Sequence, residues 1–147
     1  MMAKNHNYDN LAELLDKAQR LLHNDGLVLD DEKIAQLCRH VDLVRDWNAV
    51  VGVVSKGDAD NLWQRHVVDS LSLAVVVHRL GFAEGHLLDI GSGGGFPAVP
   101  MKILLPQLRI ALVERSEKKV GFLRKLVGAL GLSGVAIHAG EFLLSAV

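Results

Sequence analysis

The sequence predicts an α/β fold, the first half of a Rossmann-like parallel sheet preceded by a helical N-terminal region. Three observations carry this. Through roughly the first 80 residues apolar positions recur at three- and four-residue steps, the helical period. From residue 86 onward the short apolar runs HLLDI, RIALV and VAIHA alternate with two stretches of helical period. Between the first run and the helix after it lies GSGGGFP, a length of chain with almost no side chains. The expected division is residues 1–84 for the helical region and 85–147 for the half-sheet.

In chain order, Leu11, Leu14, Leu15, Ala18, Leu21 and Leu22 build the first helix, with Asn10 placed to cap it, Glu13 three residues on, and Gly26 to stop it. Asp30 can cap a second helix whose apolar face runs Ile34, Leu37, Val41, Val44, Trp47; Leu29 is placed to staple against Ile34. VVGVVSKGDAD breaks the period, and Asp58 or Asp60 can start a third helix through WQRHVVDSLSLAVVVHRL to Gly81. HLLDI then reads as a buried strand. FPAVPMKILL reads as a helix with Pro97 tolerated in its first turn and Pro100 lying deeper. RIALV is a second buried strand, SEKKVGFLRKLVGAL a helix capped by Ser116 and ended by Gly131, and VAIHA a third strand. Strand, helix, strand, helix, strand with short links means parallel pairing and right-handed crossovers.

Composition bounds the rest. With 147 residues, half of them hydrophobic, the chain can bury a sizeable core. A net charge of −1 makes any basic surface local. One cysteine, Cys38, permits no internal disulfide and reads as a small core residue. The opening MMAKNHNYDN lacks the apolar centre of a secretory signal, and stretches such as LSLAVVV fall far short of the ~20 residues a membrane span needs. A cytoplasmic monomer is expected, without membrane or metal.

In DIGSGGG the glycines at 91, 93 and 95 let the chain turn sharply out of the strand and bring bare backbone against a ligand. The spacing is G-x-G-x-G with Phe96 next, which departs from the dinucleotide fingerprint, and no G-K-[ST] follows to make a P-loop. Asp89 puts a carboxylate at the strand tip, where it repels a pyrophosphate and attracts a cationic amino-acid group, so S-adenosylmethionine is favoured over NAD. Glu114 ends the second strand where such folds hydrogen-bond ribose hydroxyls.

DIGSGGGFPAVPMKILLP, ALVERSEKKVGFLRKL and, upstream, RDWN and RHVVDSL resemble the 16S ribosomal RNA guanine-N7 methyltransferase family, RsmG, also called GidB. The resemblance runs from about Trp47 to Leu130, and GFPxxP with RHxxDS makes it more specific than the glycine loop alone. It implies a class I methyltransferase sheet and methyl transfer from S-adenosylmethionine to N7 of a guanine in the small ribosomal subunit's 16S RNA. Carried over, Gly91, Gly93, Gly95 and Phe96 belong to the cofactor loop, and Gly140, with Glu141 beside it, falls where the family places a loop against the adenine. Three features depart from the family. VVGVV replaces the usual asparagine-leucine-threonine, Glu114 stands where aspartate is commoner, and HAGEFL is shortened. The stop at Val147 leads to the expectation of a cofactor-binding half that does not methylate RNA by itself. The alternatives are a noncatalytic fragment that binds cofactor or RNA, and an NAD-dependent oxidoreductase, which Phe96 and the loop spacing disfavour. No residue is assigned a catalytic role.

Other constellations are weaker. His66, Asp69 and Ser70 fall within about one helical turn, without the elbow or oxyanion hole of a hydrolase. The seven histidines show no metal-ligand spacing. Arg115, Lys118, Lys119, Arg124 and Lys125 make the densest basic cluster, opposite an apolar arc, and read either as a solvated face or as contacts for RNA phosphates. Trp47 and Trp63 sit in helical patterns where burial outweighs base stacking.

Overall fold

A computed structural model describes residues 10–142; residues 1–9 of the opening segment considered above for a secretory signal, and Val147 with the four residues before it, lie outside them. The helical region contains α1 (Leu11–His23), α2 (Asp31–Val51), a short α3 (Lys56–Ala59), and a π-helical turn, Trp63–Val67, that runs directly into α4 (Val68–Arg79). Then follow β1 (His86–Ile90), α5 (Ala98–Leu104), β2 (Arg109–Glu114), α6 (Glu117–Leu130) and β3 (Val135–Ala139). The strands form one parallel sheet in the order β1-β2-β3, with Asp89 beside Leu112 and Glu114 beside Ala139. This is the helical lead and parallel sheet of a class I methyltransferase α/β fold.

Most of the expected caps are in place. The Asp30 carboxylate accepts from the Lys33 amide at 2.9 Å, Ser116 caps α6, and Gly52 and Gly131 close α2 and α6 in the left-handed region. Three boundaries differ. Asn10 makes no side-chain cap, and its backbone carbonyl alone accepts from Leu14. Ser55 caps the short α3, and neither Asp58 nor Asp60 caps the turn that begins at Trp63; the Asp58 carboxylate faces Arg65 and His66. The third expected helix is interrupted, because the chain passes through the wider π turn before settling into α4.

β1 and β3 are buried on one face only. Register places Leu87, Asp89, Ile110, Leu112, Glu114, Val135 and Ile137 together on one side of the sheet. Both right-handed crossovers lay their helices on that side. Among the described residues the opposite side stays open, with Leu88 49% and Ile90 56% exposed, so HLLDI, expected as a buried strand, is covered on one face only. The helical region packs on the outer side of α5 and α6, and one apolar cluster runs from Ala18 through Leu37, Val44 and Leu71 to Leu126 and Leu130. Gln36 adds a side-chain bond to the Leu130 carbonyl at 3.0 Å.

Candidate functional site at the carboxyl ends of the strands

In a parallel sheet every strand delivers its carboxyl end to one edge, and ligands of such folds collect there. Here that edge carries Asp89 and the glycine loop after β1, Glu114 at the end of β2, and Gly140 just after β3. The loop is pinned to the neighbouring strand: the amides of Gly91 and Ser92 both donate to the Val113 carbonyl, at 2.8 and 3.2 Å, and the Ser92 hydroxyl donates to the Asp89 carbonyl. The Gly95 amide then donates to Ser92 and the Gly95 carbonyl accepts from Val99, which leads the chain into α5.

The three glycines share a positive φ, +77° at Gly91, +52° at Gly93 and +87° at Gly95, so each excludes a side chain on backbone grounds. Their surroundings differ. A Cβ at Gly91 would meet nothing within 4 Å, whereas one at Gly95 would lie 2.9 Å from Leu126 Cδ2 and 3.2 Å from both His40 Nε2 and Val99 Cγ2. At Gly93 it would lie 3.4 Å from the Val53 carbonyl. Space is therefore open at Gly91, whereas at Gly95 it is filled by the protein itself.

Phe96 is likewise turned inward. Its ring stacks on His40 at a centroid distance of 4.3 Å and on His66 at 4.9 Å. His40, from α2, is wholly buried, and its Nε2–H donates to the Gly94 carbonyl at 2.8 Å. Burial drives its pKa down to about 4, against the pull of the Gly94 bond, so the ring is neutral at physiological pH.

The two acids are held differently. Glu114 is 6% exposed, and both of its oxygens accept backbone N–H bonds, from Gly93 at 3.1 Å and from Ser116 at 3.0 Å. These use two of the carboxylate's four acceptor sites, so the group retains capacity for hydroxyl donors. Asp89 is half-buried, and its Oδ2 is buried without a hydrogen-bond partner. Burial pushes its pKa up, the Ala98 amide pulls it back, and the negative charge of Glu114 adds to the rise. A carboxylate oxygen without a partner suits a cationic donor, and the two acids fit a ligand that carries an ammonium group and vicinal hydroxyls.

Gly140 donates its amide to the Glu114 carbonyl at 3.0 Å and has a φ of +139°; Glu141 is exposed and lies 3.8 Å from Arg115. The residues of RHVVDS do not assemble a triad. Ser70 is buried with its hydroxyl donated to the His66 carbonyl, His66 faces Asp58 at 3.3 Å, and Asp69 lies outside this arrangement. No cluster of three or more potential metal ligands occurs among the described residues, and no described helix is long and apolar enough to cross a membrane. Trp63 is buried, and Trp47 packs on Phe122 of α6 at 6.0 Å. Cys38 is half-buried against the core, and burial raises its thiol pKa. Arg115, Lys118, Arg124 and Lys125 are exposed and Lys119 partly so, while Val120, Leu123, Leu126 and Leu130 are buried.

Two residues that matter belong to no sequence motif. His40 lies three residues after Leu37 and four before Val44, on the apolar stripe of α2, and that placement is the signal of a buried histidine. Lys102 is 4% exposed, and its ammonium donates to the carbonyls of Pro106 and Leu108, both at 2.6 Å, closing the turn between α5 and β2. Burial lowers its pKa.

The parallel sheet, the glycine turn after its first strand and the acids at the tips of its first two strands together define an α/β fold of the class I methyltransferase type. Residues 33–141 match the family model GidB, described as rRNA small subunit methyltransferase G. The chain belongs to this family. It is 43% identical over 112 residues to ribosomal RNA small subunit methyltransferase G of Roseiflexus sp. strain RS-1, covering 76% of this chain and 47% of that protein. It is 34% identical over 120 residues to the protein of the same name from Leuconostoc citreum, covering 82% and 50%. Against the Bacteroides thetaiotaomicron protein, also so named, it is 39% identical over 111 residues, covering 75% and 52%. The chain thus spans about half the length of the curated relatives it matches.

Proposed function

We propose that the carboxyl edge of this sheet binds S-adenosylmethionine and that the protein serves methyl transfer to N7 of a guanine in the 16S RNA of the small ribosomal subunit, as a cytoplasmic monomer. Residues 1–84 are then the helical lead and 85–147 the cofactor-binding half-domain. The observation that carries the reading is the orphaned Asp89 oxygen, with the bare backbone of Gly91 two residues on and Glu114 on the same edge. Asp89 would hold the amino group of the cofactor's methionine part, Glu114 the ribose hydroxyls, and Gly91 and Gly93 would offer bare backbone between them. Phe96 and Gly95 support the loop from behind, and Gly140 sets the far side of the adenine site. When bound, the cofactor supplies an electrophilic methyl group. Guanine N7 has an unshared ring lone pair and no proton, so no general base is required, and the task of the chain's residues is placement. The exposed cations of α6 are the proposed contacts for RNA phosphates. Calorimetric titration with S-adenosylmethionine and with NAD tests the reading. Binding of the former and not the latter is expected; tighter binding of NAD overturns it.

A further inference from the structure

The glycine loop and the helical region meet at one buried point, and its geometry goes beyond packing. α2 delivers a polar side chain, His40, into an otherwise apolar contact, where it does two things at once. Its Nε2–H holds the Gly94 carbonyl at 2.8 Å, and its ring lies on Phe96 at 4.3 Å with the planes 17° apart. Gly94 and Phe96 flank Gly95, whose missing Cβ would approach the same Nε2 at 3.2 Å. Three consecutive residues of the loop are thus referenced to one imidazole, 54 positions earlier in the chain. Of the two ring nitrogens Nε2 makes this bond and Nδ1 is buried without a partner, so the imidazole carries a desolvation cost that a space-filling apolar residue would not.

We propose that His40 is a positioning residue for the cofactor loop. Its hydrogen bond fixes the orientation of the Gly94–Gly95 peptide, whose N–H donates to the Ser92 carbonyl at 2.8 Å; that carbonyl shares one peptide group with the Gly93 N–H, which donates to Glu114 Oε2 at 3.1 Å. A rotated Gly94 peptide would break the register between the loop and Glu114, so a helix that never touches the ligand sets the affinity for it. This inference rests on the S-adenosylmethionine reading of the site, and its test separates the two.

The test uses the full chain and two variants. His40→Phe keeps a flat ring against Phe96 and removes the donor; His40→Gln removes the ring and keeps an N–H at a similar reach. Cofactor affinity by calorimetry and amide exchange of Gly93, Gly94 and Gly95 are measured beside the urea midpoint. A buried carbonyl left without its donor predicts about tenfold weaker cofactor binding and faster loop exchange in His40→Phe, while α6 amides exchange as in the parent. His40→Gln is expected to stay within about threefold of the parent in affinity. Unchanged loop exchange in a folded His40→Phe, or equal loosening in both variants, overturns the proposal. Should His40→Phe fail to fold, His40→Gln decides alone: loop protection kept near the parent's supports the role, and a tenfold loss with the donor present refutes it. If the parent binds no S-adenosylmethionine, the ligand reading fails, and the exchange rates still judge His40.

Discussion

Acid should weaken this fold through one ring. Free histidine titrates near 6.5, whereas His40, sealed between α2 and the glycine loop, titrates at about 4 because its buried ring cannot be solvated as a cation; the positive charge of His66 pushes in the same direction. The folded value lies below the unfolded one, so as pH falls the unfolded chain takes up this proton first. Stability is therefore complete above about 6.5 and is lost progressively from there down to about 4. The gap between the two values corresponds to about 3 kcal/mol, most of which is gone by pH 4.5. For a domain of this size that lowers the melting midpoint by roughly 5–10 °C. Urea unfolding of the parent and of His40→Gln at pH 7 and pH 4.5 measures it. Asp25 and Asp58, held below the usual carboxylate range by hydrogen bonds from Arg79 and Ser55 respectively, respond equally in both chains and cancel in the difference. An identical loss between the two pH values in parent and variant would refute the assignment.

Three further outcomes are expected. Asp89→Asn should weaken S-adenosylmethionine binding roughly tenfold or more, the worth of a charge-assisted hydrogen bond, yet leave the urea midpoint of the free protein unchanged or raised, since it removes a buried carboxylate oxygen with no partner; a lowered midpoint with unchanged affinity contradicts this. Gly95→Ala should cost several kcal/mol, on the order of 1–2 from the left-handed backbone and a further 1–3 from the 2.9 Å approach to Leu126, whereas Gly91→Ala should cost only the backbone part; equal denaturation midpoints for the two would be inconsistent with the loop geometry. The Lys118→Glu, Lys125→Glu double variant should flatten the salt dependence of RNA binding by a slope of about 0.7 to 0.9 for each phosphate no longer neutralised, and an unchanged slope assigns both lysines to the solvated face.

The order of elements is legible because each signal is local. Asp30, Ser116 and Gly131 announce helix ends by the hydrogen bonds their own backbones need, and the structure uses all three. Where the relevant partner is distant, sequence pattern falls short. Asp58 resembles a helix cap, but Ser55 takes that role and Asp58 faces Arg65 and His66. HLLDI reads as a buried strand, yet which faces are covered depends on where the crossover helices fall, and both fall on the side of Leu87 and Asp89. Composition does not place Lys102, since its burial depends on two carbonyls that converge only once the chain has turned into β2.

The glycine loop shows how little a motif's spacing says about what each of its residues does. As a pattern, G-x-G-x-G suggests a single demand for room at a ligand, but the same spacing meets two different physical requirements. A Cβ at Gly91 would meet no protein atom within 4 Å, so on the proposed reading a side chain there would intrude on the ligand. Gly95 faces Leu126, Val99 and His40, so a side chain there would push the loop off α2 and α6 regardless of any ligand. A substitution at the first position should therefore register in binding and one at the third in folding. Phe96 belongs with the third: its ring rests on two imidazoles from the helical region, and those rings anchor the loop from the side away from the strand tips. The helical region and the half-sheet consequently share a core and also a constraint, because the glycine loop is held jointly by β2 and a histidine of α2.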